Sequence, residues 1–163
     1  SGGQTANSED VWGSRTPYLR GVIDTFSMRM PNAKWERKMP VDDWLSYLKV
    51  KHNYPISDAD ARQAALNFKQ DNRKVYLECS AVRVPLKNVR VDLQLKSTFF
   101  DIRLLNKDTV VFMGHGYGHG LGMPQEGAMR MIKLGYKYQD VLNFYYQDIQ
   151  LIDLHKLNFF KDE

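Results

Sequence analysis

The sequence has few residues that could cross-link the chain or ligate a metal. Cys79 is the single cysteine among 163 residues, so no disulfide can form within the chain. Neither C-x-x-C nor H-E-x-x-H occurs, and no apolar run approaches the roughly 18 residues that a membrane-spanning helix needs. With 43% hydrophobic and 26% charged residues, the chain has the composition of a globular domain with an ordinary apolar core. Cys79 is expected to be a small buried apolar residue of a strand.

The first residue is Ser1 rather than Met, which predicts a processed protein or a fragment whose targeting signal is not visible. The charge is only mildly positive, at +4 from 23 basic and 19 acidic residues. Basic residues are interspersed with acids, as where Arg37 and Lys38 precede Asp42 and Asp43, whereas nucleic-acid binders concentrate positive charge in a patch. The pattern predicts a mixed, solvated surface and no nucleic-acid partner. A small positive excess also suits a polyanionic surface such as a bacterial wall, without identifying one.

Apolar spacing and turn residues predict an α+β fold, a single compact domain of mixed or antiparallel strands with about four helices. The residues at 41, 44, 45 and 48 are apolar at helical spacing, and Ser57 is expected to begin a second helix. The pattern of the segment 84–105 is ambiguous: its first half could be a short helix, and its second half, from Thr98 to Leu104, looks like a strand. Further helices are predicted at 125–134 and 138–148, and strands at 74–82, 109–113 and 149–154. The first 24 residues are expected to be loop and extended chain that wraps the core.

Nine residues after the strand at 109–113 are the most informative segment. They read GHGYGHGLG, with glycine at every second position from 114 to 122. Glycine is favoured where backbone must adopt a positive φ or approach another group closely. The strict alternation gives neither G-x-G-x-x-G nor a Lys-Ser/Thr pair, so the loop does not fit the known phosphate-binding motifs.

The two histidines of this loop leave several interpretations open. His115 and His119 are four apart, a spacing that suits a metal only on a helix, which the glycines disfavour. Either ring could hydrogen-bond loop backbone, bind a substrate or transfer a proton near neutral pH. The nearby Glu126 could be a general acid, but an acid in the first turn of a helix also stabilises the helix dipole. Gln125 offers both a donor and an acceptor, as sugar or peptide recognition requires.

Three ordered blocks of sequence resemble the SpoIID/LytB domain family, that of stage II sporulation protein D and the amidase enhancer. The segment GHGYGHGLGMPQEGAMRMIKLGYKYQDVLNFYYQDIQL is similar to the family's G-x-G-x-G-H-G-x-G-M-S-Q-x-G-A signature and the M-A-x-x-G and I-L-x-x-Y-Y motifs that follow it. SGGQTANSEDVWG, with PYL and V-I-D after it, is similar to S-G-G-x-T…V-W…P-Y-L-x-x-V-x-D. Trp35 and the run LQLKSTFF fit as well. The resemblance covers nearly the whole chain.

The resemblance implies a protein directed at peptidoglycan. Sporulation members look like lytic transglycosylases that cleave glycan strands, preferably after stem peptides are removed, and the other branch is associated with stimulating wall amidases. The family's catalytic glutamate lies near a K-A-Q-A-V-A-A-R-T-Y-A helix, and the zinc ligands of some members also precede S-G-G-x-T. The sequence given begins at that motif. Residues 1–163 are therefore expected to be the C-terminal portion of the domain, with the acid supplied by an N-terminal half and no cofactor or metal held by these residues.

On this basis we expect the glycine loop and the S-G-G-x-T segment to border a glycan cleft. His119 and Gln125 are predicted to position sugar or stem-peptide groups, with weaker candidates in His115, Tyr117 and Thr5. The expected partners are peptidoglycan glycan strands, the N-terminal half of the domain and a cell-wall amidase, at an extracytoplasmic location. Pro124 and Glu126 depart from the family pattern, at positions where Ser and an aromatic residue are usual. Two other classes stay open, a non-catalytic wall-binding or amidase-enhancing module and an unrelated nucleotide or metal enzyme.

Overall fold

The computed structural model describes residues 1–79 and 82–154, where helices and strands alternate along the chain. Six α-helices, five strands and one 3-10 helix, Thr25–Arg29, are present in this part of the chain. The helices are α1 Ser8–Trp12, α2 Val41–His52, α3 Ala59–Leu66, α4 Leu86–Asp92, α5 Gln125–Lys133 and α6 Tyr138–Tyr145. The strands are β1 Lys34–Pro40, β2 Tyr76–Cys79, β3 Val82–Pro85, β4 Phe100–Asn106 and β5 Thr109–His115.

The centre of the fold is an antiparallel sheet of three strands in the order β1-β5-β4. The middle strand, β5, is the most buried, with Val110 and Phe112 completely inaccessible. A turn at residues 107–108 joins β4 to β5 as a hairpin. Gly114 faces Trp35 on β1 and Phe100 on β4, so the glycine loop leaves the sheet from its best-anchored strand.

Helices α2, α3 and α4 form the main apolar core with this sheet. On α2 the predicted spacing is confirmed, because Val41, Trp44, Leu45 and Leu48 are all buried. The Trp44 indole packs edge-on against Phe112 of β5 and donates its N–H to the carbonyl of Ala65 at 3.0 Å. The α+β class and the antiparallel arrangement are thus as predicted, with more helices than the four expected.

Several local predictions need correction. α3 begins at Ala59, because Asp58 rather than Ser57 caps it by accepting the Ala61 N–H at 2.8 Å. Of the strand expected at 74–82, residues 80–81 lie outside the described ranges. The rest contains β2 and the first residue of β3, and these two strands pair as a separate two-stranded sheet. The strand predicted at 149–154 is wrong, since this stretch has no strand.

Two elements near the start of the chain, α1 and β1, were not predicted from the sequence. α1 forms within a segment expected to be loop and extended chain, and a left-handed Gly13 ends it. β1 was not predicted, because most of its residues are exposed and charged and only Trp35 is buried. In the described ranges, none of the helices combines the length and apolar character needed to cross a lipid bilayer.

Candidate functional site

The glycine loop alternates left-handed glycines with residues of ordinary conformation. Gly116, Gly118, Gly120 and Gly122 have φ values between 74° and 83°, a region that side-chain-bearing residues adopt only at a cost of roughly 1–2 kcal/mol. Because φ changes sign at every second residue, the loop does not continue as an extended strand and instead folds back against neighbouring segments. The alternation seen in the sequence is therefore explained by backbone conformation.

Backbone hydrogen bonds fix this loop along its length. They join it to three segments distant in sequence, with N···O distances of 2.8–3.0 Å: Gly116 N to Ala33 O, Gly118 N to Lys96 O, and Ala6 N to Gly120 O. The backbone of the loop is therefore held in place by the rest of the fold.

Three of the loop glycines are also required by close contacts. A Cβ at Gly116 would lie 2.5 Å from the backbone carbonyl of Ser1. A Cβ at Gly114 would lie 1.9 Å from the Trp35 ring, and one at Gly120 would lie 2.6 Å from the guanidinium of Arg73. The guanidinium of Arg73 packs against the loop backbone at Gly120. It donates to the carbonyls of Ser1 and Gln4 at 2.7 Å, and burial lowers its pKa to about 10, so it stays charged at neutral pH. Sequence reasoning missed this residue, since a single arginine in a mixed-charge stretch carries no signal.

An open pocket of about 330 Å³ lies between the loop and the start of α5. Three of the five predicted site residues, Tyr117, His119 and Gln125, line it together with Glu126. All three predicted residues are exposed, with Tyr117 at 66%. The structure thus brings together polar and aromatic groups from the loop and the helix.

A second pocket of about 460 Å³ adjoins the first and is more aromatic. It is lined by Trp12, Tyr18 and Tyr146, and it shares His119, Leu121 and Met123 with the first pocket. The two pockets together form a continuous surface, here called the double pocket, with His119 where they meet. Aromatic side chains can stack on sugar rings, and polar groups beside them can hydrogen-bond the sugar hydroxyls.

The His119 ring has a defined hydrogen-bonding state. Its Nδ1 accepts the backbone N–H of Leu121 at 2.9 Å, so the neutral ring carries its proton on Nε2. Partial desolvation of the His119 ring by the loop lowers its pKa below the usual value, and the positive charges of Arg90 and Arg73 lower it further. At neutral pH His119 is therefore an uncharged ring that is fixed to its own loop and keeps an Nε2–H donor, so the backbone-bonding interpretation is confirmed.

The other two predicted residues lie apart from the double pocket. His115 ends β5, packs against the Phe99 ring and lines a different cavity of about 300 Å³ with Gln4 and Met28. The four-residue spacing therefore does not place both imidazoles in one pocket. Across residues 1–79 and 82–154, no group of three or more His, Cys, Asp or Glu side chains is arranged to hold a metal ion. Thr5 is 2% exposed, and its hydroxyl accepts the Val22 N–H at 2.8 Å, so it joins two segments of the wrapping chain.

The acidic residue at the mouth of the pocket has a structural partner. Glu126, in the first turn of α5, accepts a hydrogen bond from the Asn32 amide at 2.8 Å. The residue before the helix, Pro124, has extended backbone and forms its N-cap. The hydroxyl that is usual at this position in the resembling family is thus replaced by a ring compatible with the helix start.

A buried carboxylate holds the helices behind the double pocket. Asp24 is fully buried and accepts hydrogen bonds from the hydroxyls of Ser1 at 2.5 Å, Tyr145 at 3.0 Å and Ser27. Burial and the Asp24 charge raise the pKa of Tyr145, which keeps it protonated as a donor. A Cβ on Gly127 would lie 2.2 Å from the Tyr145 hydroxyl, so only glycine lets α5 approach this cluster. The V-I-D stretch was noted for its resemblance alone, and no spacing in the sequence indicated these partners.

The sequence of the chain is similar to those of several known proteins. No protein-family model matches the chain. The chain is 28% identical to stage II sporulation protein D of Bacillus subtilis over 93% of its own length, and 26% identical to that of Bacillus amyloliquefaciens over the same share. It is also 28% identical to the amidase enhancer of Bacillus subtilis over 90% of its length. These matches cover 43%, 42% and 28% of the relatives, so the chain spans less than half the length of each.

The names of these relatives refer to sporulation and to the enhancement of an amidase. The glycine loop, the Gly127 contact and the wrapping segment around Thr5 and Asp24 all fall in the sequence blocks that carried the resemblance. The chain is therefore homologous over nine tenths of its length to stage II sporulation protein D and the amidase enhancer.

Proposed function

We propose that the double pocket binds glycan strands of peptidoglycan and that the protein acts on the cell wall from an extracytoplasmic location. The observation that carries the proposal is the convergence of Tyr117, His119 and Gln125 on one open surface that continues into an aromatic pocket. A chain of N-acetylated sugars offers hydroxyl and amide groups to the polar section and ring faces to the aromatic section.

Each of the three predicted residues that line the double pocket has a role in this scheme. His119 donates from Nε2 to a hydroxyl or carbonyl oxygen of the sugar chain, because Nδ1 is already occupied by the Leu121 N–H. Gln125, at the exposed start of α5, offers both donor and acceptor to an acetamido group. Tyr117 stacks on a ring at the open side of the pocket. Glu126, whose carboxylate is engaged by Asn32, orients the pocket edge.

We propose further that the chain is the C-terminal portion of a lytic transglycosylase domain. In such a reaction a carboxylic acid protonates the glycosidic oxygen while the 6-hydroxyl of the same sugar attacks its anomeric carbon. The resulting carboxylate removes the hydroxyl proton, so that a 1,6-anhydro sugar forms without water. The acid would come from an N-terminal half of the domain. The similarity to the amidase enhancer supports one alternative, a non-catalytic module that binds wall glycan and stimulates an amidase.

Binding of purified glycan strands by the 163-residue chain tests the first part of the proposal. His119→Ala should weaken binding about tenfold, the equivalent of roughly 1.4 kcal/mol, while the melting temperature stays near that of wild type. His115→Ala is the matched control, because it removes the same group from a different cavity. Equal loss in both variants, or no glycan binding by the wild type, would contradict the assignment of the double pocket.

The reaction is tested separately on the natural protein that contains this chain. Release of anhydro-muropeptides from denuded strands is expected, and His119→Ala should reduce it. Glycan binding without release, together with faster cleavage by an added wall amidase, would replace the transglycosylase with the enhancer. Stoichiometric binding of zinc or a nucleotide by the loop would instead overturn the glycan assignment.

A further inference from the structure

A small side recess opens next to the double pocket, and His119 lines both. The recess has a volume of about 70 Å³, far smaller than either section of the double pocket. It lies between α1, the segment at residues 74–75 and α4. Its polar lining residues in the described ranges are Asp10, Lys74, Lys87, Arg90, Thr98 and His119.

The recess is positively charged. Lys87 and Arg90 are three apart on α4 and therefore lie on neighbouring positions of one helix face. Lys74 also lines the recess, and its ammonium lies 5.3 Å from the centre of the Phe68 ring. The acid in the described lining, Asp10, accepts the Asn7 amide at 3.0 Å. Three cations thus face a single carboxylate that already has another partner.

Arg90 supplies an observation independent of charge. Its Nε is buried, and no hydrogen-bond partner for it exists within residues 1–79 and 82–154. Leaving a buried donor of a charged side chain unpaired costs free energy. A carboxylate entering the recess would both pair this donor and offset the charge. The guanidinium is also close enough to His119 to contribute to the lowering of that residue's pKa.

We propose that this basic recess, formed by Lys74, Lys87, Arg90 and His119, binds a carboxylate of the glycan strand seated in the double pocket. The inference rests on the proposed function and specifies which strands the site prefers. An N-acetylmuramic residue carries a lactyl ether whose carboxylate is free when no stem peptide is attached and is an amide when one is. Stem peptides carry carboxylates of their own, so the same chemistry has two sources.

Calorimetric titration of the 163-residue chain with four ligands of equal sugar number tests the inference. The ligands are a denuded strand with free lactyl carboxylates, the same strand converted to lactyl methyl amides, a strand bearing stem peptides, and a chito-oligosaccharide with no carboxylate. We expect one carboxylate-bearing ligand to bind at least tenfold more tightly than the chito-oligosaccharide. Tighter binding of the denuded strand, lost in the methyl amide, identifies the lactyl group; tighter binding of the peptide-bearing strand identifies the stem peptide.

Arg90→Gln should abolish that preference while leaving affinity for the chito-oligosaccharide unchanged. Lys87→Gln, an exposed neighbour whose removal does not disturb packing, should reduce the preference in part. Lys49→Gln removes the same charge from α2 and should change nothing.

Equal affinity of the wild type for all four ligands overturns the carboxylate site and leaves the glycan cleft standing. Failure to bind any of the four overturns the proposed function as well. Equal weakening of neutral and anionic ligands by Arg90→Gln would show a structural role and also contradict the inference.

Discussion

The sheet and the loop region of this molecule are stabilised in different ways. The sheet core, formed by β1, β4, β5 and helices α2 to α4, is a large continuous apolar cluster. The loop region, formed by the wrapping chain, the glycine loop, α5 and α6, has a small apolar cluster around Met131, Val141 and Tyr145. It relies instead on the buried Asp24 and on glycines that permit close backbone contacts.

The difference shows how a surface for polar ligands is kept rigid. Apolar packing alone would have left the loop region with too little buried area to fix its backbone. Directed hydrogen bonds need less volume and leave the outer face open to solvent. Losses in the sheet core should therefore unfold the whole chain, whereas losses in the loop region should first loosen the double pocket.

The largest effect is expected in the sheet core. Trp44→Ala removes a completely buried indole and its hydrogen bond to Ala65, and should lower the free energy of unfolding by about 3–5 kcal/mol. Urea denaturation followed by circular dichroism measures the change. The exposed Val50→Ala on the same helix should stay within about 0.5 kcal/mol of wild type. A loss below 1 kcal/mol for Trp44→Ala would show that the core does not hold the fold together.

A smaller and more local effect is expected at Asp24. Asp24→Asn replaces a buried acceptor of three hydroxyl donors by an amide that also presents N–H groups, at a cost of about 2–3 kcal/mol. Hydrogen exchange should accelerate in α5 and α6 before it does in β5. Asp60→Asn, exposed in the first turn of α3, is the control. Uniform acceleration across both regions would contradict the distinction between them.

Gly127 tests the close contact between α5 and the Asp24 cluster. Alanine normally stabilises a helix interior by about 1 kcal/mol relative to glycine, but here the added Cβ would collide with the Tyr145 hydroxyl. Gly127→Ala should therefore destabilise the protein by about 1–3 kcal/mol, as measured by urea denaturation. Met129→Ala, exposed on the same helix, should be nearly neutral. A stabilised Gly127→Ala would disprove the tight packing.

The smallest effect is expected from an ion pair in the wrapping chain. Arg20 binds both oxygens of Glu9 at 2.6 and 2.8 Å, and this hydrogen bonding lowers the Glu9 pKa to about 2. Because the folded-state pKa lies below the ordinary value of 4.5, the contribution is present above pH 4.5 and is lost as the pH falls towards 2. The melting temperature of Glu9→Gln should lie slightly below that of wild type at pH 7, and the gap should narrow as the pH falls below 4.5 and close only below pH 2. A gap that persists in acid would point to packing instead.

The sequence predicted the parts of the fold that depend on periodic burial. α2 was found because four apolar residues recur at helical spacing, and α5 because turn signals flank its apolar face. β1 was not predicted, because an edge strand with one buried residue, Trp35, has no periodic apolar pattern. The strand expected at 149–154 was wrong since apolar residues there, such as Ile152 at 59% exposure, remain on the surface.

For the site, local motifs located the loop but could not show which way its side chains point. His115 and His119 look equivalent in the sequence, yet two left-handed glycines lie between them and direct them to different cavities. Thr5 was chosen for its motif, and only the fold shows its hydroxyl bonded to Val22. Arg73 and Asp24 act through partners up to 121 residues away, which no local pattern encodes.

The glycine loop has a consequence for the thermodynamics of ligand binding. Five glycines in nine residues would give a free loop many conformations, and ordering them on binding would weaken affinity. Here the backbone bonds to Ala6, Ala33 and Lys96 restrict the loop already when the chain folds. A ligand therefore meets a receptor that loses little conformational entropy on association, so a few modest hydrogen bonds are sufficient for recognition.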